Sequence, residues 1–169
     1  MKTCIFAGTF DPITVGHESV IKKCIDKYGK VLVVVGSNAE KSTFFTDKER
    51  TKLVSQTFSD YSAVTVLNYL EIEDEYKEYL MQSGARIYIR GIRNRKDLKF
   101  EKKMKKRNKE IYPFIKTKFI KCSKKYKGVS SSEVRALITS GGDYIDLVPK
   151  QIQFTIIKLI AKKLKRIND

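Results

Sequence analysis

A chain of 169 residues carrying 35 Lys and Arg against 19 Asp and Glu, a net charge of +16, has the length of one domain with a full core. Its 41% hydrophobic content excludes a disordered polycation, and no apolar stretch approaches the roughly 20 residues of a membrane span. The three cysteines, Cys4, Cys24 and Cys122, show no CxxC or Cys/His spacing; this excludes a structural metal cage and reads as reduced thiols, with Cys4 and Cys24 in the core of a cytoplasmic protein.

Thr3 to Ala7 predicts a strand bounded by Gly8. Val20, Ile21, Cys24, Ile25 and Tyr28 then recur at spacings of three and four, an apolar helical face that Gly29 ends. Val31 to Val35 is continuously apolar, the pattern of a parallel strand buried on both faces. Thr46 with Glu49 forms a capping box that opens a helix through Leu53, Val54 and Phe58. A strand over 64–70, a helix over 74–82 stopped by Gly84, and a strand over 87–89 follow. Next come a basic helix over 96–110 ending near Pro113, and a fifth strand over 118–121. Ser130 with Glu133 predicts a second capping box, before a helix that stops at Gly141-Gly142. Pro149 begins a last helix with Ile152, Ile156, Ile157, Ile160 and Leu164 on one face. The alternation predicts a single α/β domain over 1–169: a Rossmann-like, doubly wound, parallel five-stranded sheet with helices on both faces and a C-terminal helix. Ligands of such sheets bind at the carboxyl ends of the strands.

The charge is local. Residues 86–127 hold 18 Lys and Arg against three acids, so the remainder of the chain is nearly neutral. Such a field attracts polyanions, whether nucleic acid, a membrane surface or small phosphorylated substrates, and composition does not choose among them. No RNP-like run, zinc-ligand spacing or helix-turn-helix marks a nucleic-acid module. The segment KLIAKKLKR at 158–166 reads as a packed terminal helix rather than a membrane-surface anchor.

At the tip of the first strand, GTFDPITVGH (8–17) ends in the single histidine of the chain, at the mouth of a helix. Gly8 lets a ligand approach the backbone, and His17 faces the crevice, where either protonation state of the ring can hydrogen-bond a phosphoryl oxygen. Ser130, Ser131 and Ser132 at another helix start combine hydroxyl donors with unpaired amides, an anion site. Arg90 and Arg93, in RGIR beyond the fourth predicted strand, offer guanidinium forks to phosphate.

The 8–17 stretch resembles the T/HxGH signature of the nucleotidylyltransferase superfamily, in the GTFDPIT-x-GH form of the phosphopantetheine adenylyltransferases. RGIR at 90–93 looks like that family's RGLR segment, and VSSS at 129–132 like its ISSS segment. The resemblance also aligns Lys41, Glu101, Asn108, Pro113 and GGD at 141–143, and spans nearly the whole chain. It implies transfer of AMP from ATP to 4'-phosphopantetheine, in a homohexamer built as two trimers, with Mg²⁺ held by substrate phosphates rather than by the chain. It further implies that His17 stabilises the transition state, that Thr9 and Lys41 hold the attacking phosphate, and that Arg90 orients the acceptor. Asn108, and Tyr76 beside the acidic run Glu71 to Glu75, would face the acceptor. Thr9, Phe10, His17, Gly91, Ile92, Arg93, Glu101 and the segment Tyr126, Lys127, Gly128, Val129, Ser130, Ser131 and Ser132 would bind ATP. Where family members carry a DFEYE-like run, this chain reads Asp97-Leu98-Lys99-Phe100-Glu101. The alternatives are the same chemistry on another phosphorylated acceptor, such as nicotinamide mononucleotide, and a basic nucleic-acid-binding module.

Overall fold

The computed structural model describes residues 2–36, 42–92 and 109–168. Among them five strands, β1 (Lys2–Gly8), β2 (Gly29–Val35), β3 (Val64–Asn68), β4 (Ile87–Ile92) and β5 (Lys116–Lys121), form one parallel sheet in the order β3-β2-β1-β4-β5. The order reverses at β1, since the chain builds outward to β3 and then returns to lay β4 on the other side. That reversal opens a crevice at the carboxyl ends of β1 and β4.

The helices are α1 (Val15–Tyr28), α2 (Asp47–Thr57), α3 (Tyr76–Gln82), α4 (Ser131–Ser140) and α5 (Gln153–Asn168). Alternate residues of the central strands feed two separate cores, because side chains along a strand alternate in direction. Cys4, Phe6, Val31, Val33 and Val35 pack with Val20 and Cys24 of α1, Leu53 of α2, Val134 of α4 and Ile156 of α5. Ile5, Leu32 and Val34 pack on the opposite face with Tyr76 and Leu80 of α3. Burial on both faces is what the unbroken Val31–Val35 run required. Cys4 and Cys24 are fully buried free thiols.

Helix ends follow the local chemistry. Thr46 Oγ1 accepts from the Glu49 amide while Glu49 Oε2 accepts from the Thr46 amide, closing the capping box of α2. Gly29 (φ +93°) and Gly141 (φ +72°) end α1 and α4 in backbone conformations that favour glycine. At α4 the Gly142 amide donates to Leu137 O at 2.8 Å and the Gly141 amide to Ile138 O, a Schellman termination.

Four expectations change. Ser130 forms only half of a capping box, its Oγ accepting from the Glu133 amide. The fourth strand continues to Ile92, because the ladder to β5 extends through Arg90↔Phe119, Gly91↔Ile120 and Ile92↔Lys121; Arg90, Gly91 and Ile92 therefore lie in the strand rather than beyond it. The third strand stops at Asn68, whose side chain accepts from the Leu70 amide and turns the chain into a 3₁₀ segment. The last α-helix begins at Gln153 rather than at Pro149, after a 3₁₀ turn over Lys150–Ile152; Ile152, Ile156 and Ile160 are buried, whereas Ile157 and Leu164 are exposed. At about 100° per residue, Ile156 and Ile157 cannot share one narrow face. The expected basic helix lies outside the described residues apart from its end at 109–111, which is helical. No helix among the described residues is long and apolar enough to cross a membrane.

Candidate active site

The loop from β1 to α1 presents His17 on the first turn of α1. Thr14 is the N-cap, and the His17 ring completes the capping box in the place usually taken by Glu or Gln. His17 Nδ1 accepts from the Thr14 amide at 3.2 Å and lies 3.0 Å from Thr14 Oγ1. An amide N–H can be accepted only by an unprotonated nitrogen, so this geometry selects the tautomer with hydrogen on Nε2. Phe10 meets the ring edge-on, with centroids 5.2 Å apart at 76°, and Phe6 lies 6.5 Å away. The imidazole is thus aimed by a cap on one edge and by aromatic packing beside it.

Beneath this loop, three segments are laced together. The Gly36 amide donates to Gly8 O at 2.8 Å, extending the β1/β2 pairing to the strand tips. Arg50 of α2 is 2% exposed, and its Nη1 donates to Thr9 O at 2.6 Å and Gly36 O at 2.7 Å, its Nε to Phe45 O at 3.2 Å. Burial pulls the Arg50 guanidinium below its ordinary value, and the charges of Asp11 and Asp47 oppose that; an arginine starts high enough to stay charged. Asp11 is 3% exposed and accepts from the Phe44 and Phe45 amides, each at 2.8 Å. Arg135 of α4 donates to Asp11 O at 2.7 Å and lies 3.5 Å from its carboxylate, while Ser131 Oγ donates to Pro12 O at 2.8 Å. The His17 loop and the serine helix are therefore held directly against each other.

The serine trio is less uniform than three hydroxyl donors. Ser131 turns its hydrogen to Pro12, whereas Ser130 and Ser132 accept through oxygen, from the Glu133 amide and from Arg135 Nη2, so each retains a hydroxyl hydrogen to donate. The preceding Tyr126–Val129 turn packs on the start of α1, and a Cβ on Gly16 would meet Tyr126 O and Val129 O at 3.7 Å. On the other rim Arg90 stacks over Tyr88, 5.1 Å from the ring centre. Beyond it Tyr69, Tyr76 and Tyr112 form an edge-to-face chain at 5.1 and 6.0 Å. A cleft of about 490 Å³ along α1, lined by Val15, Glu18, Lys22, Tyr126 and Asp146 among others, shares Tyr126 with the expected nucleotide segment but includes neither His17 nor the serines.

The profile of the cytidylyltransferase-like family matches residues 5–137. The phosphopantetheine adenylyltransferase of Flavobacterium psychrophilum is 35% identical over 153 residues, 90% of this chain and 99% of that protein. That of Nitrosomonas eutropha is 32% identical over 169 residues, covering 100% and 99%. The chain belongs to the phosphopantetheine adenylyltransferase family. A solved structure assigned as a nicotinate-nucleotide adenylyltransferase from Vibrio parahaemolyticus superposes with a TM-score of 0.68 over 95% of both chains; at 18% identity it shows the shared fold.

Within this phosphopantetheine adenylyltransferase fold, Thr9 and His17 lie in and at the end of the loop that Ser131 and Arg135 tie to the serine helix, and Arg90, Gly91 and Ile92 end the neighbouring strand. Phe10 and Tyr76 behave differently. Phe10 as a whole residue is 2% exposed and its ring fills the space above Gly8, so the ring is not a surface for a ligand. Tyr76 is 5% exposed, and burial raises its hydroxyl's pKa far above the usual value; it is the base of an aromatic wall rather than a surface for the acceptor. Lys41, Arg93, Glu101 and Asn108 lie outside the described residues. Arg50, Asp11 and Arg135 escaped the sequence reading. For Arg50 a signal existed, since positions 50, 53, 54 and 57 form the buried stripe of α2 and a charge there demands partners.

Proposed function

We propose that this protein transfers the adenylyl group of ATP to the phosphate of 4'-phosphopantetheine, giving dephospho-coenzyme A and pyrophosphate. A phosphate oxygen of the acceptor attacks the α-phosphorus, the bond to the bridging oxygen of the β-phosphate breaks, and pyrophosphate leaves. The acceptor is itself the nucleophile, so catalysis reduces to aligning two anions and stabilising the charge that builds on the transferring phosphoryl group.

The observation that carries this reading is the aimed His17: with Nδ1 held by the Thr14 amide, the ring offers Nε2–H as a fixed donor at a helix N-terminus. Thr9 and Lys41 hold the attacking phosphate, Arg90 orients the acceptor, and the Tyr126 to Ser132 segment takes ATP. We assign Mg²⁺ to the triphosphate, whose oxygens are the hard ligands this cation takes. The active form in this reading is a cytoplasmic homohexamer.

The test incubates the protein with ATP, Mg²⁺ and either 4'-phosphopantetheine or nicotinamide mononucleotide and measures pyrophosphate release. Release with the first alone is expected, and EDTA should abolish it without shifting the Tm of the ligand-free protein. Release only with nicotinamide mononucleotide would reassign the acceptor.

A further inference from the structure

We infer that Arg50 is a positioning residue of the transfer site, orienting the Thr9–Phe10 peptide so that the Phe10 amide serves as an anion donor. The inference rests on the adenylyl-transfer reading for its kinetic test, but its geometry stands independently.

β1 and β2 pair through Gly8 and Val35, and the Gly36 amide reaches Gly8 O one step further. Past that point Thr9 O and Gly36 O both turn to a single nitrogen, Arg50 Nη1, at 2.6 and 2.7 Å. In a trans peptide the carbonyl and the following amide N–H point in opposite directions. With Thr9 O drawn down to Arg50, the Phe10 N–H is aimed away from Arg50. The conformation needs holding, since Phe10 has φ +50°, a region that a residue with a bulky side chain rarely occupies. Its ring is wedged against Gly8, where a Cβ would come within 3.0 Å, and the guanidinium holds the carbonyl before it. Without Arg50 a carbonyl oxygen could swing toward the phosphates and repel them.

The partners of Arg50 also separate it from a charge that merely fills the core. Its hydrogen bonds go to backbone carbonyls of three segments, after β1, after β2 and ahead of α2, and not to a carboxylate. Asp11 secures the third segment independently through the Phe44 and Phe45 amides. Arg50 is therefore not needed to hold Phe45 in place, and its particular contribution is at Thr9 and Gly36.

The test compares Arg50→Met and Arg50→Lys with the wild type, at a temperature where circular dichroism shows each folded. Arg50→Met should lower kcat by about 10-fold or more and weaken ATP binding, read by calorimetry without acceptor, by a clearly smaller factor, since the Phe10 amide is one of several phosphate donors and the Tyr126 to Ser132 segment is untouched. Arg50→Lys should recover to within about fivefold of wild type, because both carbonyls converge on one nitrogen that an ammonium can replace. A folded Arg50→Met with kcat within about twofold of wild type overturns the proposal. So does loss of ATP affinity in parallel with kcat. In the wild-type protein, adding pyrophosphate should shift the Phe10 amide resonance; an unmoved resonance overturns the proposal whether or not Arg50→Met folds. A wild type that binds pyrophosphate at the Phe10 amide but transfers nothing to 4'-phosphopantetheine would sink the assigned reaction and leave the orienting role of Arg50 intact.

Discussion

Replacing His17 separates two roles that the structure gives one ring. In His17→Ala the Thr14 amide loses its acceptor at Nδ1, and the loss of such a cap costs about 1 kcal/mol. The edge contact with Phe10 at 5.2 Å goes as well, about 0.5–1.5 kcal/mol. The sum is about 2 kcal/mol, which in a domain of this size lowers Tm by roughly 4–8 °C. Turnover should fall far more, by about 10²–10³, because a donor aimed at charge developing in the transition state is removed. His17→Gln distinguishes the terms. A carboxamide at this position can still accept from the N-cap amide, so Tm should stay within about 3 °C of wild type. Its NH₂ does not occupy the place of Nε2, so turnover should remain at least about tenfold down. Thermal melts followed by circular dichroism and pyrophosphate release at saturating substrates measure both. Near-normal turnover in His17→Ala would refute the assigned role, and a Gln variant as unstable as the Ala variant would refute the cap.

Gly8→Ala places a methyl within 3.0 Å of the buried Phe10 ring, so a strain of about 1–3 kcal/mol and a lower Tm are expected, with turnover reduced because Phe10 adjoins His17. A variant as stable and active as wild type would show that the ring yields freely. Glu49 bears on pH. Its burial raises its pKa, but the Thr46 amide and Lys163, 3.0 Å away, outweigh that and hold the folded value below the usual one. Stability from a depressed carboxyl is present above the unfolded value of about 4.3 and is lost as pH falls through the folded one. Glu49→Gln keeps the cap and drops the ion pair, so it should cost about 0.5–1 kcal/mol at pH 7 and nothing near pH 3. Chemical denaturation at the two pH values checks this, and an undiminished difference in acid would count against it.

Much of the fold was legible because its determinants are local. The two-sided burial of β2 shows in Val31 to Val35, the start of α2 in Thr46 and Glu49, and the end of α4 in Gly141. The candidate site was legible through contiguous motifs, which place His17 and the serines on helix starts whatever the rest of the chain does. Arg50, by contrast, shares the i, i+3, i+4 stripe of α2 with Leu53 and Val54, which signals that it is buried but not which groups it meets. Its role exists only where the ends of β1 and β2 diverge.

From its order of residues alone the chain determined the alternation of strands and helices, the capped helix starts at Thr46 and Ser130 and which groups could meet an anion, since hydrophobic period and capping act over a few positions. Tertiary structure alone decided that Phe10 and Tyr76 are walled in, that β4 runs on through Arg90 to Ile92, and that Ile157 and Leu164 face outward. It also decided that Asp11, Arg50 and Arg135 bind three distant segments into one floor. The first outcomes depend on which surfaces pack together in three dimensions, and the floor on which carbonyls and amides remain unpaired after the sheet is assembled, since burial leaves each of those to find a partner from elsewhere in the chain.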